Sequence, residues 1–531
     1  MDKVKQLIFA LLPLLLLPAC TPSVPDQAVD NNMLAKVFPD NSGATLPPNI
    51  APLNFRVQTE CDECVVRIAA AKTGNEIVVR GPEVDIDVDD WHKLLDKAKG
   101  GNLLTDIFVR HGDTWYKFVT IVNPVALEPV DQYLTYRLIE PSYVDYEDMV
   151  LCQRDVTSFD ERVLYSNRMH GEGDNGQCIN CHVAQDYNRQ GHSQFHVRQY
   201  DGGTVFIDDG KVTKVNLKTA STLSAGVYPA WHPKQELVAY SVNETGQVFH
   251  TRDLQKIEVI DYASDLILYD RKTSKVYDID NSKDEFETFP AWSPAGDMLY
   301  YASAHYVRQT DDIDAELDSA YQSLKYNVYS RTFDSRSKKF GERRLVLDAA
   351  AMGKSASFPR VSPDGRYLLM ALADYGQFHI WHRSSDLYVL DLKTGVMREL
   401  RKANSPDTES YHNWSSNGRW IVFASRRDDG SYTRLYVSYF DRQGIAHKPF
   451  LLPQQSADYY ENLFKSYNVP EWMVNKVKPD MMRITTAVGK PAVNAVYGGS
   501  ALATPDPATS SKQIGNNKKE NKYIGVIKNI S

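Results

Sequence analysis

From Leu53 onward the chain alternates apolar and polar positions. Leu53, Phe55 and Val57, then Val66, Ile68 and Ala70, each fall on one parity, as half-buried strands do. Val84, Ile86 and Val88 alternate with Asp85, Asp87 and Asp89, which predicts a strand with an acidic outer face. That run is not a calcium loop, because Asp90 stands where the loop needs glycine and Asp96 where it needs glutamate. Trp91, Leu94 and Leu95 suit a short helix capped by Asp89 or Asp90, and strands resume from Asp106 to Val125. Together these predict a β-sandwich-like domain over residues 51–145.

Beyond residue 200 the pattern repeats. Tyr228-Pro229-Ala230-Trp231-His232-Pro233 recurs as Phe289-Pro290-Ala291-Trp292-Ser293-Pro294, as Phe358-Pro359-Arg360-Val361-Ser362-Pro363, and more loosely as Tyr411-His412-Asn413-Trp414-Ser415-Ser416. A second unit alternates with the first: Ser264–Asp270 matches Ser385–Asp391. Two hairpins make one four-stranded blade, so the repeat predicts a β-propeller over 201–460. The repeats lie about 53 to 69 residues apart, longer than compact blades need, so insertions fill the difference; Thr310 to Leu324 is the plainest. Gly203 to Val215 reads as a further hairpin, giving five or six blades. A short helix is expected through Tyr459, Leu463 and Tyr467, a C-terminal extension over 461–499, and a mobile Lys/Asn-rich tail over 500–531.

The aromatic-Pro-x-Trp-Ser-Pro-x-Gly hairpins and the run Asp386-Leu-Tyr-Val-Leu-Asp-Leu-Lys-Thr-Gly395 resemble the TolB-like β-propeller family. Residues 409–430 resemble an exported bacterial branch of it whose members carry Cys-x-x-Cys-His before the propeller. The resemblance covers about residues 130–475. It implies a fold and an envelope setting, and no catalytic residues.

The N-terminus fits that setting. Lys3 and Lys5 precede an apolar run from Leu7 to Leu17, and Leu17-Pro18-Ala19-Cys20 resembles a lipobox, which predicts a signal peptide over 1–20, a lipidated Cys20 and a linker over 21–50. The absence of Asp at 21 or 22 points to an outer-membrane lipoprotein facing the periplasm. A net charge of −8 offers no basic field for nucleic acid.

Between the two predicted domains, residues 146–200 contain Cys178-Ile179-Asn180-Cys181-His182, the pattern that attaches one haem c: each thiol adds to a vinyl group and the following imidazole reaches the iron. His182 is then the proximal ligand. Met169, His170, His192, His196, His232 and His250 are the candidates for the sixth position, with His196 favoured. Zinc is the alternative, since Cys178, Cys181, His192 and His196 stand at zinc-finger-like spacing. Of the remaining cysteines, Cys61 and Cys64 suggest a short disulfide, and Cys152 a buried thiol. There is no G-x-S-x-G or H-E-x-x-H motif, and Gly353-Lys354-Ser355 lacks the rest of a phosphate loop. The expected function is therefore electron transfer or redox-partner docking by a lipid-anchored monohaem protein. The alternative is an envelope scaffold in which this segment is structural, and a haem enzyme or gas sensor stands behind both.

Overall fold

The computed structural model describes residues 23–140, 148–172, 175–250, 252, 255 and 257–502. The lipobox with Cys20 and the tail beyond residue 502 lie outside them. The chain is mainly β and of β-propeller type. Six antiparallel four-stranded sheets succeed one another, two of them extended by a fifth, parallel strand. Their inner strands are Ser466–Met473 (blade 1), Gln177–Ala184 (blade 2), Val227–Trp231 (blade 3), Glu285–Trp292 (blade 4), Ser355–Val361 (blade 5) and Glu409–Trp414 (blade 6). Each lies against the next, and that of blade 6 against that of blade 1.

The repeat residues explain the blades. After the inner strands of blades 4, 5 and 6 a serine turn reverses the chain: Gly296, Gly365 and Gly418 donate back to the carbonyls of Ser293, Ser362 and Ser415, and each glycine has positive φ. The same serine hydroxyls accept from the backbone of Met298, Tyr367 and Trp420, which fixes the start of the second strand. The tryptophans join neighbouring blades, with Trp292 Nε1 donating to the Ala230 carbonyl and Trp414 Nε1 to that of Arg360.

The propeller is larger than the repeats announced. Blade 1 takes Tyr133–Ile139, Val150–Asp155 and Glu161–Ser166 from the front of the chain and its inner strand from residues 466–473. Blade 2 comprises the C-x-x-C-H strand with His192–Gln199, Gly203–Asp208 and Lys211–Asn216, so that motif stands inside the propeller and not ahead of it. The helix expected through Tyr467 is only a 3₁₀ turn at Ala457–Tyr460, because Tyr467 belongs to the closing strand. The insertion at 310–324 holds a helix, Ile313–Ala320, capped by Asp312. After the closing strand, a helix at Met481–Val488 leads to an arm whose strands Val493–Asn494 and Val496–Ser500 run parallel to the outer edges of blades 2 and 3.

The N-terminal domain has a six-stranded sheet, a three-stranded sheet (Val37–Phe38, Phe55–Val57, Glu83–Val84) and the helix Val88–Ala98. Asp87 caps that helix by accepting from Asp89 and Asp90, so the expected acidic strand ends early. Residues 21–50 are no free linker where they are described. Ala44, Leu46 and Ile50 are buried in the domain core, and the Leu46 amide donates to the Pro124 carbonyl. The domain is docked on blade 6, where Asp131 accepts from the Ser416 amide and hydroxyl, and the Glu128 carbonyl accepts from Trp420 Nε1.

Candidate functional site

Every inner strand carries one bulge, and at each bulge sits a residue with left-handed backbone: Val469, Cys181, Tyr228, Phe289, Phe358 and Tyr411, at φ of 42° to 53°. None is glycine, so each carries a conformational cost of about 1–2 kcal/mol that the surrounding sheet must offset. The residue that follows is proline in blades 1, 3, 4 and 5 (Pro470, Pro229, Pro290, Pro359) and histidine in blades 2 and 6 (His182, His412). Cys181-His182 is thus the blade 2 copy of the aromatic-Pro pair, a correspondence hidden in the sequence because neither residue type is conserved across the copies.

The aromatic members fill the axis. Tyr228 and Phe289 have ring centroids 4.5 Å apart, Phe289 and Phe358 4.3 Å, and Phe358 and Tyr411 4.4 Å, and Phe378 closes on them from the loop after the second strand of blade 5. Cys181 puts a small thiol where these blades put a ring. The packing is loosest there: Cys181, Tyr228 and Val469 are half-buried, whereas Phe289, Phe358 and Tyr411 are buried.

The two histidines behave differently. His412 donates from Nε2 to the Phe358 carbonyl of the preceding blade at 2.7 Å. His182 is 6% exposed, and neither ring nitrogen has a hydrogen-bond partner. Burial drives its pKa down to about 3, helped by the Arg137 guanidinium, while contacts with the Thr135 and Val469 backbone pull the other way. The imidazole is therefore neutral. Arg137, itself buried, ties the strand down by donating to the Ile179 carbonyl at 3.0 Å and to Asn468 Oδ1 at 2.8 Å. Its one sequence signal is a charge inside the apolar strand Tyr133–Ile139.

Cys178 and Cys181 carry free, half-buried thiols. Cys178 packs against the core shared by blades 1 and 2, and burial raises the Cys181 thiol pKa against the pull of Arg198 and Arg137. A neutral, buried imidazole and two free thiols thus stand at the one bulge in blades 2 to 6 that lacks an aromatic ring.

The other candidates disperse. His196 pairs across from Asn180, is 5% exposed and shares a 3.1 Å hydrogen bond between Nδ1 and Thr204 Oγ1. His192 lies at the far end of the same strand beside Asp208 and Glu236. Extended backbone carries it about 20 Å, six strand positions, from the level of Cys178, so the zinc set is not assembled. No cluster of three metal-binding side chains occurs among the described residues. His170 holds the Thr485 carbonyl and His232 that of Gly296, while Met169 packs in the core of blades 1 and 2. His250 follows the long second strand of blade 3, Leu237–Phe249. Cys61 and Cys64 remain unbonded; burial and Asp62 raise the first thiol, and burial pushes the second up to about 12. Cys152 is buried as expected.

No family model and no curated protein matches the chain. Among solved structures it is similar to a prolyl endopeptidase at 13% identity and TM-score 0.30, covering 60% of this chain and 42% of the other. It is similar to an ACO/RPE65 chimera at 12% identity and TM-score 0.36, covering 84% and 97%. A third is prolyl oligopeptidase B from Galerina marginata, at 11% identity and TM-score 0.34, covering 74% and 54%. The chain thus spans about half the length of the two peptidases. Similarities this low carry no statement about its activity.

Proposed function

We propose that the chain is a lipid-anchored envelope protein with a TolB-like propeller, which docks a redox partner and holds one haem c on blade 2. Cys178 and Cys181 would take the thioether bonds, His182 would supply the proximal nitrogen, and His196 is the first choice for the second axial position. When bound, the haem supplies reversible one-electron transfer. The chain's own residues supply the setting: Arg137 fixes the strand and places a positive charge beside His182, and the buried surroundings keep the imidazole neutral and exclude water.

The observation that carries this reading is the contrast between His182 and His412. The fold accepts proline at this position in four blades, and where it has a working histidine that histidine makes a hydrogen bond. His182 has only weaker contacts with the Thr135 and Val469 backbone, and departures from a local rule concentrate at functional sites. One observation favours a second reading, an interaction scaffold without haem: Cys181-His182 also fills a regular bulge position. Expression in a bacterium with a cytochrome c maturation system, followed by absorption spectroscopy and a haem-stained denaturing gel, separates the two. We expect a covalently haem-stained band that Cys178→Ala with Cys181→Ala abolishes, and carbon monoxide binding to the reduced protein only after His196→Ala. A colourless wild-type protein would leave the scaffold.

A further inference from the structure

We infer that one edge of the N-terminal domain is a membrane-facing surface that lies on the lipid headgroups. Val29, Met33, Leu34, Val119 and Val122 are 54%, 59%, 62%, 45% and 42% exposed. They are contiguous. Val29 pairs with Tyr116 on the outermost strand, the Val119 amide donates to the Met33 carbonyl, and Val122 follows on the strand Ile121–Pro124. Apolar side chains scattered singly need no explanation, but five along one hydrogen-bonded edge expose an apolar strip that needs a cover.

The occupant is argued from where the described chain begins. The strip starts at residue 29, and the Cys20 proposed to carry lipid lies nine residues before it. Fully extended, nine residues span roughly 30 Å, so an acyl anchor at Cys20 keeps this edge within that distance of the bilayer. The strip begins at the strand Val29–Asp30, the first strand of the described chain. Phe464, 69% exposed on the loop after the 3₁₀ turn, serves as a comparison site remote in sequence from the tether.

This inference rests on the lipid-anchored reading, and the test separates the two. The full-length protein, recovered from a bacterial envelope, is reconstituted on vesicles of phosphatidylethanolamine and phosphatidylglycerol, and amide exchange is followed by mass spectrometry. Exchange in segment 114–123 should be about threefold or more slower in wild type than in Met33→Asp with Leu34→Asp, while the segment around Phe464 exchanges alike in both. Should that variant misfold, Val119→Ser with Val122→Ser read at segment 27–36 gives the same comparison. Protein that floats with the vesicles yet shows equal exchange in 114–123 overturns the membrane-facing edge and leaves the anchor standing. Protein that does not float overturns both.

Discussion

At the residue scale, the molecule depends on six side chains held in left-handed backbone at the blade bulges. Phe358 is 2% exposed between Phe289 and Tyr411, so Phe358→Ala should cost about 3–5 kcal/mol, measured by chemical denaturation. A loss below about 1 kcal/mol would mean the axis is not packed as described. Titration belongs to the same scale. Burial lowers His379 and His412 to about 3 and His232 to about 4, below the ordinary 6.5. Their folded pKa values are depressed, so below pH 6.5 the unfolded chain binds protons the fold refuses, and stability falls as pH drops toward the folded values. Each contributes about 1.4 kcal/mol per pH unit in that window. Burial raises Glu471 to about 8, from 4.5, so this carboxyl opposes stability as pH climbs between those values. Its oxygens accept from the Ala184 amide, which a glutamine carbonyl can also do. Glu471→Gln should therefore leave stability unchanged near pH 4 and raise it at pH 8; a midpoint that falls at pH 8 would show that the carboxylate is needed ionised.

At the element scale, the repeats legible in the sequence were those whose bulge carries an aromatic ring, followed by proline in blades 3, 4 and 5 and by a serine–glycine turn in blades 4, 5 and 6. That signal located four inner strands. Blade 1 escaped because its inner strand is borrowed from residues 466–473, although Val469-Pro470-Glu471-Trp472 is a copy of the motif with valine for the ring. Blade 2 escaped because cysteine and histidine pointed to haem chemistry and away from strand geometry. Half of the candidate site was readable in this way: the spacing showed Cys178, Cys181 and His182, but Arg137 and Asn468 reach them from blade 1, through contacts with no counterpart in linear order. Because the closing strand completes blade 1 and buries Tyr467 and Trp472, a chain ending at Phe464 should lose the cooperative thermal transition expected of the whole protein, as read by circular dichroism. A chain ending at Lys490, which lacks the arm along blades 2 and 3, should keep it with a lowered midpoint.

At the scale of the whole molecule, the N-terminal domain and the propeller are joined by contacts with different partners on blade 6 and the segment that follows it. Arg56 pairs with Asp458, Asn54 Nδ2 donates to the Gln455 carbonyl, Thr45 meets His447 at 2.9 Å, and Asp131 holds the turn at Ser416. Calorimetry should show one transition for both bodies in the wild type. Asp131→Ala leaves the Ser416 amide without its acceptor and should cost about 1–3 kcal/mol; two separated transitions already in the wild type would mean that the contacts do not couple the domains. The closing strand also sets an order of events in time. The strand Tyr133–Ile139 leaves the ribosome more than three hundred residues before its partner Ser466–Met473 exists, so an unfinished chain has an open seam and two unpaired strand edges. Every nascent chain must therefore be kept from pairing with its neighbours until the closing strand has been made.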